Sequence, residues 1–256
     1  MKTEIQNDTE YIAARLKQFK LVDMRHQYED IASEAESEGL SYIAFLKRLL
    51  EAEEDGKRKR RQQSLMRKAN FEAIKYLEDI DYGFNASIDQ EKIAYLGKLD
   101  FIDRKENIII IGPPGVGKTM IATGLGVKAC MASKKVLFTN AKDMLDKLQG
   151  SVLSGTLKAD LKALDKVHLL IIDELSYINM DKERESLFFQ IIRQRYEKGS
   201  LIITTNLPLG RWNELFTGQL AATAILDRLV HHCHILSISG NSYRVKGPEQ
   251  IKEENL

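Results

Sequence analysis

The chain has 256 residues, of which 43% are hydrophobic and 29% are charged, and its formal net charge is +1. These values are ordinary for a soluble globular protein with room for one large domain or two modest ones. The net charge neither requires nor excludes a polyanionic partner, so any contact with nucleic acid would have to come from local clusters of lysine and arginine.

Two features of the sequence indicate the compartment. No apolar run approaches the length of a membrane span, and residues 1–4 lack the apolar core of a signal peptide. Cys130 and Cys233 lie far apart on segments that we expect to be buried, which is typical of reduced thiols. We therefore expect a cytoplasmic protein that makes no contact with a membrane.

The first 70 residues have the apolar spacing of helices. Apolar residues recur at helical intervals: Ile12, Leu16, Phe19, Tyr42, Phe45, Leu46, Leu49 and Leu50. Ser41 could cap the second group, and residues 41–69 could form one long helix with Gly56 as a kink point. We therefore predict a small all-helical N-terminal domain over residues 1–70.

The densest group of basic residues in the chain lies inside this long helix. It consists of Lys57, Arg58, Lys59, Arg60 and Arg61, followed by Arg67 and Lys68. A rotation of 100° per residue puts Lys57, Arg61 and Lys68 on one face of a helix. Two interpretations stay open: a stripe that binds nucleic-acid phosphates, or a solvated face that pairs with Glu51, Glu53, Glu54 and Asp55.

Turn-forming residues dominate the stretch 71–106, which we interpret as a connector. From Asn107 onward, strand and helix patterns alternate, which predicts a parallel sheet covered by helices on both faces. The predicted strands are 107–112, 135–140, 167–173, 200–206 and 233–239. The predicted helices are 118–132, 141–149, 156–165, 183–198 and 221–231. We expect this domain to cover residues 107–247 and residues 248–256 to be a disordered tail.

A phosphate-binding loop follows the first predicted strand. Its residues are Gly112, Pro113, Pro114, Gly115, Val116, Gly117, Lys118 and Thr119. They match G-x-x-x-x-G-K-[ST] in the strand–loop–helix context that such a loop requires. The glycines let backbone N–H groups point at the phosphates, Lys118 can reach the terminal phosphates, and the Thr119 hydroxyl can bind Mg²⁺. The sequence therefore predicts a nucleoside triphosphate site.

Two carboxylates end the third predicted strand, an apolar run over residues 169–172. The first of them, Asp173, is placed to hold Mg²⁺ together with Thr119. The second, Glu174, can orient and activate a water molecule for attack on the γ-phosphate. The pair favours hydrolysis over a role as a simple helix cap.

Two further residues complete the predicted catalytic group. Asn206 ends the next apolar strand, where its amide can hydrogen-bond the attacking water or the γ-phosphate. An arginine from a neighbouring subunit can neutralise the charge that develops during phosphoryl transfer. Arg228 is the first candidate for this arginine, and Arg193 and Arg195 are alternatives that spacing alone does not separate from it.

These motifs together resemble those of AAA+ ATPases, specifically the helicase-loader-like group that contains DnaC and the IstB transposition helpers. The match is closer to IstB, and its segments are residues 41–51, 101–107, 112–119, 171–174, 195–200, 224–229 and 242–244. The phosphate loop is shared by many ATPases. Narrower signals are Phe45-Leu46-x-x-Leu49-Leu50 and the tail Gly240-x-Ser242-Tyr243-Arg244.

The resemblance implies an AAA+ core with strand order 5-1-4-3-2 and an N-terminal domain used in self-assembly. It implies ATP and Mg²⁺ as cofactors, and ATP-dependent homo-oligomers on double-stranded target DNA. The helper would deliver this DNA to a cognate transposase, with hydrolysis regulating release. Arg228 matches the trans-acting arginine of the family. Only 28 residues follow Arg228, so we expect no C-terminal lid domain.

Alternatives to this function remain open. One is a DnaC-like helicase loader that acts on a replicative helicase and single-stranded DNA. A P-loop nucleotide kinase is disfavoured because residues 141–164, which would carry its substrate-binding arginines, contain no arginine. The DNA-contacting residues are also undecided, since a second set lies on short helices that could face a central channel: Lys142, Lys147, Lys158 and Lys162.

Overall fold

The computed structural model describes residues 2–243. The chain divides into two compact units, residues 1–64 and residues 65–256. The predicted tail at residues 248–256 lies outside the described part of the chain. No helix in residues 2–243 is long and apolar enough to cross a membrane.

The first unit is built from helices, as the apolar spacing predicts. They are α1 (Lys2–Gln18), α2 (Val22–Glu38) and α3 (Tyr42–Lys68), the last of which continues four residues past the boundary of the unit. Ser41 caps α3, because its Oγ accepts a hydrogen bond from the backbone N–H of Ala44 at 3.3 Å. Helix α3 runs without a break through Gly56.

A close approach between α2 and α3 explains Gly56. A Cβ at this position would overlap the carboxylate of Asp23, so glycine is needed for space and does not mark a kink. One turn earlier, the buried Glu53 carboxylate accepts hydrogen bonds from the backbone N–H groups of Asp23 (2.8 Å) and Met24 (3.1 Å). Glu53 therefore caps the first turn of α2, whose N–H groups have no partner within the helix.

The second unit contains the α/β part of the chain. Two short helices, α4 (Gln90–Leu96) and α5 (Asp100–Asp103), precede the sheet. The strands are β1 (Asn107–Ile111), β2 (Val136–Asn140), β3 (Leu169–Asp173), β4 (Ser200–Thr205) and β5 (Cys233–Ser237). The helices between them are α6 (Lys118–Met131), α7 (Ala141–Leu153), α8 (Leu157–Ala163), α9 (Lys182–Arg195) and α10 (Gln219–Val230).

The five strands form one parallel sheet in the order β2-β3-β4-β1-β5. This order confirms the predicted 5-1-4-3-2, and the fold is that of an AAA+ core. Both faces of the sheet are buried: Ile108 and Ile110 pack with α6 on one side, and Ile109 packs with α7, α9 and α10 on the other. Continuous apolar strands are expected wherever helices cover a parallel sheet on both faces.

The sheet brings the carboxyl ends of its strands to one edge, which is where open α/β sheets bind ligands. β1 leads directly into the phosphate loop. In the register of the sheet, Ile111 at the end of β1 lies opposite Thr205 on β4, and Asn140 at the end of β2 lies opposite Asp173 on β3. The predicted site residues Asp173, Glu174 and Asn206, which end or follow β3 and β4, therefore reach the same edge as the phosphate loop.

Candidate functional site

The phosphate loop spans the gap between the end of β1 and the start of α6 at Lys118. Gly115 and Gly117 have φ angles of 81° and 102°, which residues with a Cβ rarely adopt. Gly112 is needed for a different reason, because a Cβ there would overlap the carbonyl oxygen of Ile238. The Lys118 ammonium donates hydrogen bonds to the carbonyl oxygens of Gly112 (2.7 Å) and Pro113 (2.8 Å), which holds it over its own loop.

The two predicted Mg²⁺ ligands are in direct contact. The Thr119 hydroxyl donates to the Asp173 carboxylate, at 2.9 Å from Oδ2 and 3.2 Å from Oδ1. Asp173 is only 4% exposed. A hydroxyl and a carboxylate fit Mg²⁺, which prefers oxygen ligands and usually takes one or two carboxylates together with substrate phosphates. Residues 2–243 hold no group of three or more histidine, cysteine or acidic side chains that could bind a metal without a substrate.

Glu174 follows Asp173 in a strained backbone conformation. Its φ and ψ angles are 59° and 40°, in the left-handed region that non-glycine residues rarely occupy. The Asn140 amide donates to Glu174 Oε2 at 3.1 Å, while Asn140 Oδ1 caps α7 by accepting from the backbone N–H of Lys142. The sequence analysis missed Asn140, because its contact with Glu174 depends on the pairing of β2 with β3.

Thr204 is a second residue that the sequence analysis missed. This fully buried hydroxyl on β4 donates to Asp173 Oδ1 and accepts a hydrogen bond from the backbone N–H of Glu174 at 2.9 Å. One side chain therefore fixes both the Asp173 carboxylate and the backbone that positions Glu174. The only sequence signal was a threonine near the end of an apolar strand, which is also a common β-forming residue.

Asn206 lies one residue beyond β4, and its backbone N–H donates to Ser176 Oγ at 3.1 Å. Its side-chain Oδ1 is buried and has no hydrogen-bond partner among the described residues. Asn206 lines a cavity of about 610 Å³ together with Lys118, Thr119 and Glu174. This volume lies within the range of ligand pockets, roughly 300–1,000 Å³. The fold thus brings eight of the predicted site residues to one cavity, because residues 114–117 of the phosphate loop line it as well.

Arg228 does not line this cavity. It is on α10, where Nη1 donates to the Ala224 carbonyl oxygen at 2.8 Å and the guanidinium lies 5.1 Å from the centre of the Phe189 ring. It lines a small cleft with Asn107 and Leu201, which lie at the amino ends of β1 and β4. The fold therefore does not bring Arg228 to the phosphate loop of its own chain.

Arg195, an alternative candidate for the trans-acting arginine, is buried inside its own subunit. Its guanidinium donates to four backbone carbonyl oxygens, those of Leu164, Val167, His168 and Ser200, at 2.6–3.1 Å. Burial lowers the pKa of this side chain to about 10. Arg195 ties together the segments that enter β3 and β4, so the proposal that it reaches another subunit is wrong. Arg193 is exposed on α9.

The structure also separates the basic residues of α3 into two groups. Arg58 pairs with Asp55 at 2.6 Å, and Arg60 pairs with Asp23 and with Glu53. Lys57, Arg61 and Lys68 are exposed and have no ion pair within residues 2–243. The four lysines of α7 and α8 are also exposed and have none in that range.

Comparison with known proteins places this site in a family. The family described as IstB-like ATP binding protein matches residues 14–250. A Pseudomonas aeruginosa protein named for ATP binding in insertion sequence IS21 is 38% identical over 90% of this chain and 87% of its own length. A similar protein of insertion sequence IS5376 from Geobacillus stearothermophilus is 37% identical over 90% of this chain and 92% of its own length.

Solved structures share the fold at lower identity. The DnaC helicase loader has a TM-score of 0.50 at 20% identity, covering 60% of this chain and 91% of its own. DnaI has a TM-score of 0.53 at 20% identity, covering 64% of this chain and 90% of its own. The family match, the relatives and the sheet order agree with the resemblance given by the sequence motifs: the chain belongs to the IstB-like family of ATP-binding AAA+ proteins.

Proposed function

We propose that the chain is an ATPase whose ATP-loaded form assembles on double-stranded DNA and delivers this DNA to a cognate transposase. The observation that carries the ATPase part is the contact between Thr119 and Asp173, which come from different elements. Glu174 and Asn206 line the same cavity as Lys118. A carboxylate and an amide beside the phosphate loop can activate and orient the water that attacks a terminal phosphate.

Each residue has a separate role in this proposal. The phosphate loop from Gly112 to Thr119 and the Lys118 ammonium bind the phosphates, and Thr119 and Asp173 would hold Mg²⁺, which neutralises charge on the phosphates when bound. Glu174 accepts a proton from the attacking water, and the unpaired Asn206 Oδ1 fits an acceptor for that water's other proton. Lys118→Ala removes the ammonium, so we expect it to abolish ATP binding.

In this proposal, Arg228 acts at the nucleotide site of a second copy of the chain. Its guanidinium stacks near Phe189 and bonds to Ala224, away from the phosphate loop of its own subunit. An arginine that approaches from a neighbour would make hydrolysis depend on assembly, because the charge of the transition state would be neutralised only between adjacent subunits.

Two observations support DNA as a ligand of the chain: the exposed basic residues of α3 and the names of the relatives. Lys57 and Arg61 are exposed on one face of α3 without ion pairs to described residues, which favours contact with phosphates over a solvated, paired face. The relatives are named after insertion sequences. We infer that the polyanion is the duplex target of a transposable element and that the partner is the transposase of the same element.

Competition between duplex and single-stranded DNA tests this proposal. In the presence of ATP, we expect a labelled duplex to be displaced by unlabelled duplex of unrelated sequence and poorly by single strands. Lys57→Ala with Arg61→Ala should weaken binding and lower the slope of log affinity against log salt by about 1.8, since each phosphate contact contributes about 0.9.

The control for these two substitutions is Lys17→Ala with Lys98→Ala, which removes the same charge at two other exposed positions. If both double variants have the same slope of log affinity against log salt, Lys57 and Arg61 do not contact DNA phosphates. Preference for single strands would instead favour a helicase loader, and the partner to test would then be a replicative helicase.

A further inference from the structure

The cavity at the phosphate loop is lined by apolar as well as polar side chains. Its polar lining includes Lys118, Thr119, Glu174 and Asn206, together with charged residues of the connector. Its apolar and aromatic lining includes Ile80, Phe84, Ile88, Met120 and Tyr243. Ile80, Phe84 and Ile88 belong to the connector, Tyr243 follows β5, and Met120 follows the phosphate loop on α6.

The chain beyond β5 crosses back over the phosphate loop. We call residues 238–243 the tail segment. The backbone N–H of Ile238 donates to the Ile111 carbonyl oxygen at 2.8 Å, and that of Tyr243 donates to the Gly115 carbonyl oxygen at 2.9 Å. These two bonds attach the tail segment to the end of β1 and to the middle of the phosphate loop.

The tail segment is also attached to the connector. The Ser87 hydroxyl donates to the Ser239 carbonyl oxygen at 2.7 Å and accepts from the Ser239 backbone N–H at 3.0 Å. A Cβ at Gly115 would overlap the Ser242 side chain, so the loop and the tail segment are packed without space between them. Connector, phosphate loop and tail segment therefore form one continuous wall.

This wall ends in an aromatic pair. The rings of Phe84 and Tyr243 lie 5.0 Å apart at 87°, in an edge-to-face arrangement. Tyr243 is 54% exposed even though its backbone is bonded to Gly115, so part of its ring area is available for contact with a ligand. Planar bases stack on such side chains, and removing one stack typically costs a factor of about ten or more in affinity.

We propose that Tyr243 binds the base of the nucleoside triphosphate, with Phe84 supporting its ring, so that the tail segment is part of the nucleotide site. The phosphates would lie against the phosphate loop, and the base would lie against the apolar and aromatic residues of the lining. This inference rests on the proposed ATP-binding function, and it adds the residue that recognises the base. It also couples nucleotide binding to the position of the tail segment.

Two ligands separate base binding from phosphate binding. The dissociation constants of ATP and of inorganic tripolyphosphate are measured with Mg²⁺ for each variant of the full chain. We expect Tyr243→Ala to weaken ATP binding about tenfold and to leave tripolyphosphate binding unchanged. Tyr243→Phe keeps the ring and should retain the affinity for ATP.

The matched control is Tyr11→Ala, which removes a tyrosine of similar exposure on α1, outside the residues that line the cavity. It should leave both affinities unchanged. The inference is overturned if Tyr243→Ala leaves ATP binding intact, or if it weakens both ligands equally. If the unmodified chain binds neither ligand, the proposed function itself fails and this inference fails with it.

Discussion

The Thr119 hydroxyl donates a hydrogen bond to the Asp173 carboxylate at 2.9 Å, across the 54 residues that separate them in the chain. Thr119 lies in the first turn of α6 and lines the candidate nucleotide cavity, and Asp173 is the last residue of β3. The two oxygens are the groups that we propose as ligands of Mg²⁺.

Asp173→Asn tests this metal site. The amide keeps the shape of the side chain but removes the charge that Mg²⁺ requires, so we expect hydrolysis to fall by about 100-fold or more. ATP affinity measured with Mg²⁺ should fall to the value measured in a chelator. Asp165→Asn, at an exposed acid near the other end of β3, is the control. A variant that still binds ATP more tightly when Mg²⁺ is added would contradict the assignment.

Thr204→Val tests the hydroxyl that connects Asp173 and Glu174. Valine has the same shape but leaves the Asp173 carboxylate and the Glu174 backbone N–H each without one partner. We expect a loss of stability of about 1–3 kcal/mol, and a fall in hydrolysis of about tenfold or more because the acid pair is no longer held. Thermal unfolding and steady-state hydrolysis measure the two effects.

The control for this substitution is Thr139→Val on β2, where the hydroxyl donates to the carbonyl oxygen of the adjacent residue and to no other group within residues 2–243. It should change neither quantity by as much. If the two valine variants hydrolyse ATP at the same rate, Thr204 has no positioning role.

Mixing two inactive variants tests whether Arg228 acts on a neighbouring subunit. Glu174→Gln should keep ATP binding and lose hydrolysis by about 10²–10⁴-fold, and Arg228→Ala should lose it by about a thousandfold. In an equal mixture, some Arg228→Ala subunits, which keep Glu174, lie beside a Glu174→Gln subunit. That neighbour supplies the intact Arg228. We expect about a quarter of the unmodified rate to return if the subunits assemble at random.

The same mixture made with Glu174→Gln and Lys118→Ala serves as the control, because neither chain then has an intact site. A mixture of the Arg228→Ala and Glu174→Gln chains that stays inactive, although the chains assemble together, would contradict a role in trans. Full activity of Arg228→Ala at concentrations where it is monomeric would contradict any role for this arginine.

Glu53→Ala tests the cap of α2 in the N-terminal unit. The substitution removes the acceptor of the Asp23 and Met24 backbone N–H groups, which should cost about 1–3 kcal/mol of local stability. Hydrogen exchange at these two amides should therefore become faster by about tenfold or more. Glu54→Ala removes an exposed neighbouring acid and should leave both rates unchanged.

Much of the fold could be predicted because its strands are buried on both faces. Apolar runs such as residues 108–111 and 169–172 mark central strands of a parallel sheet, and the phosphate loop and the acid pair that follow these runs mark the edge where we propose that the nucleotide binds. The phosphate loop and the acid pair are local motifs, so their residues could be identified without knowing the sheet order.

Residues whose role depends on pairing between strands could not be predicted in this way. Asn140 contacts Glu174 because β2 lies beside β3, and Thr204 reaches Asp173 because β4 lies on the other side of β3. Arg195 looked like an exposed helical arginine, yet its guanidinium donates to carbonyl groups from two separate parts of the chain. Single-sequence spacing carries no information about any of these distant partners.

The affinity of the chain for a labelled DNA duplex, measured with ATP, with ADP and without nucleotide at one salt concentration, tests the central claim most directly. We expect binding in ATP to be at least about tenfold tighter than in ADP, and the mass of the complex to rise as subunits assemble. Equal duplex affinity in all three nucleotide states would contradict a protein whose hold on DNA is controlled by the site between Lys118 and Asn206.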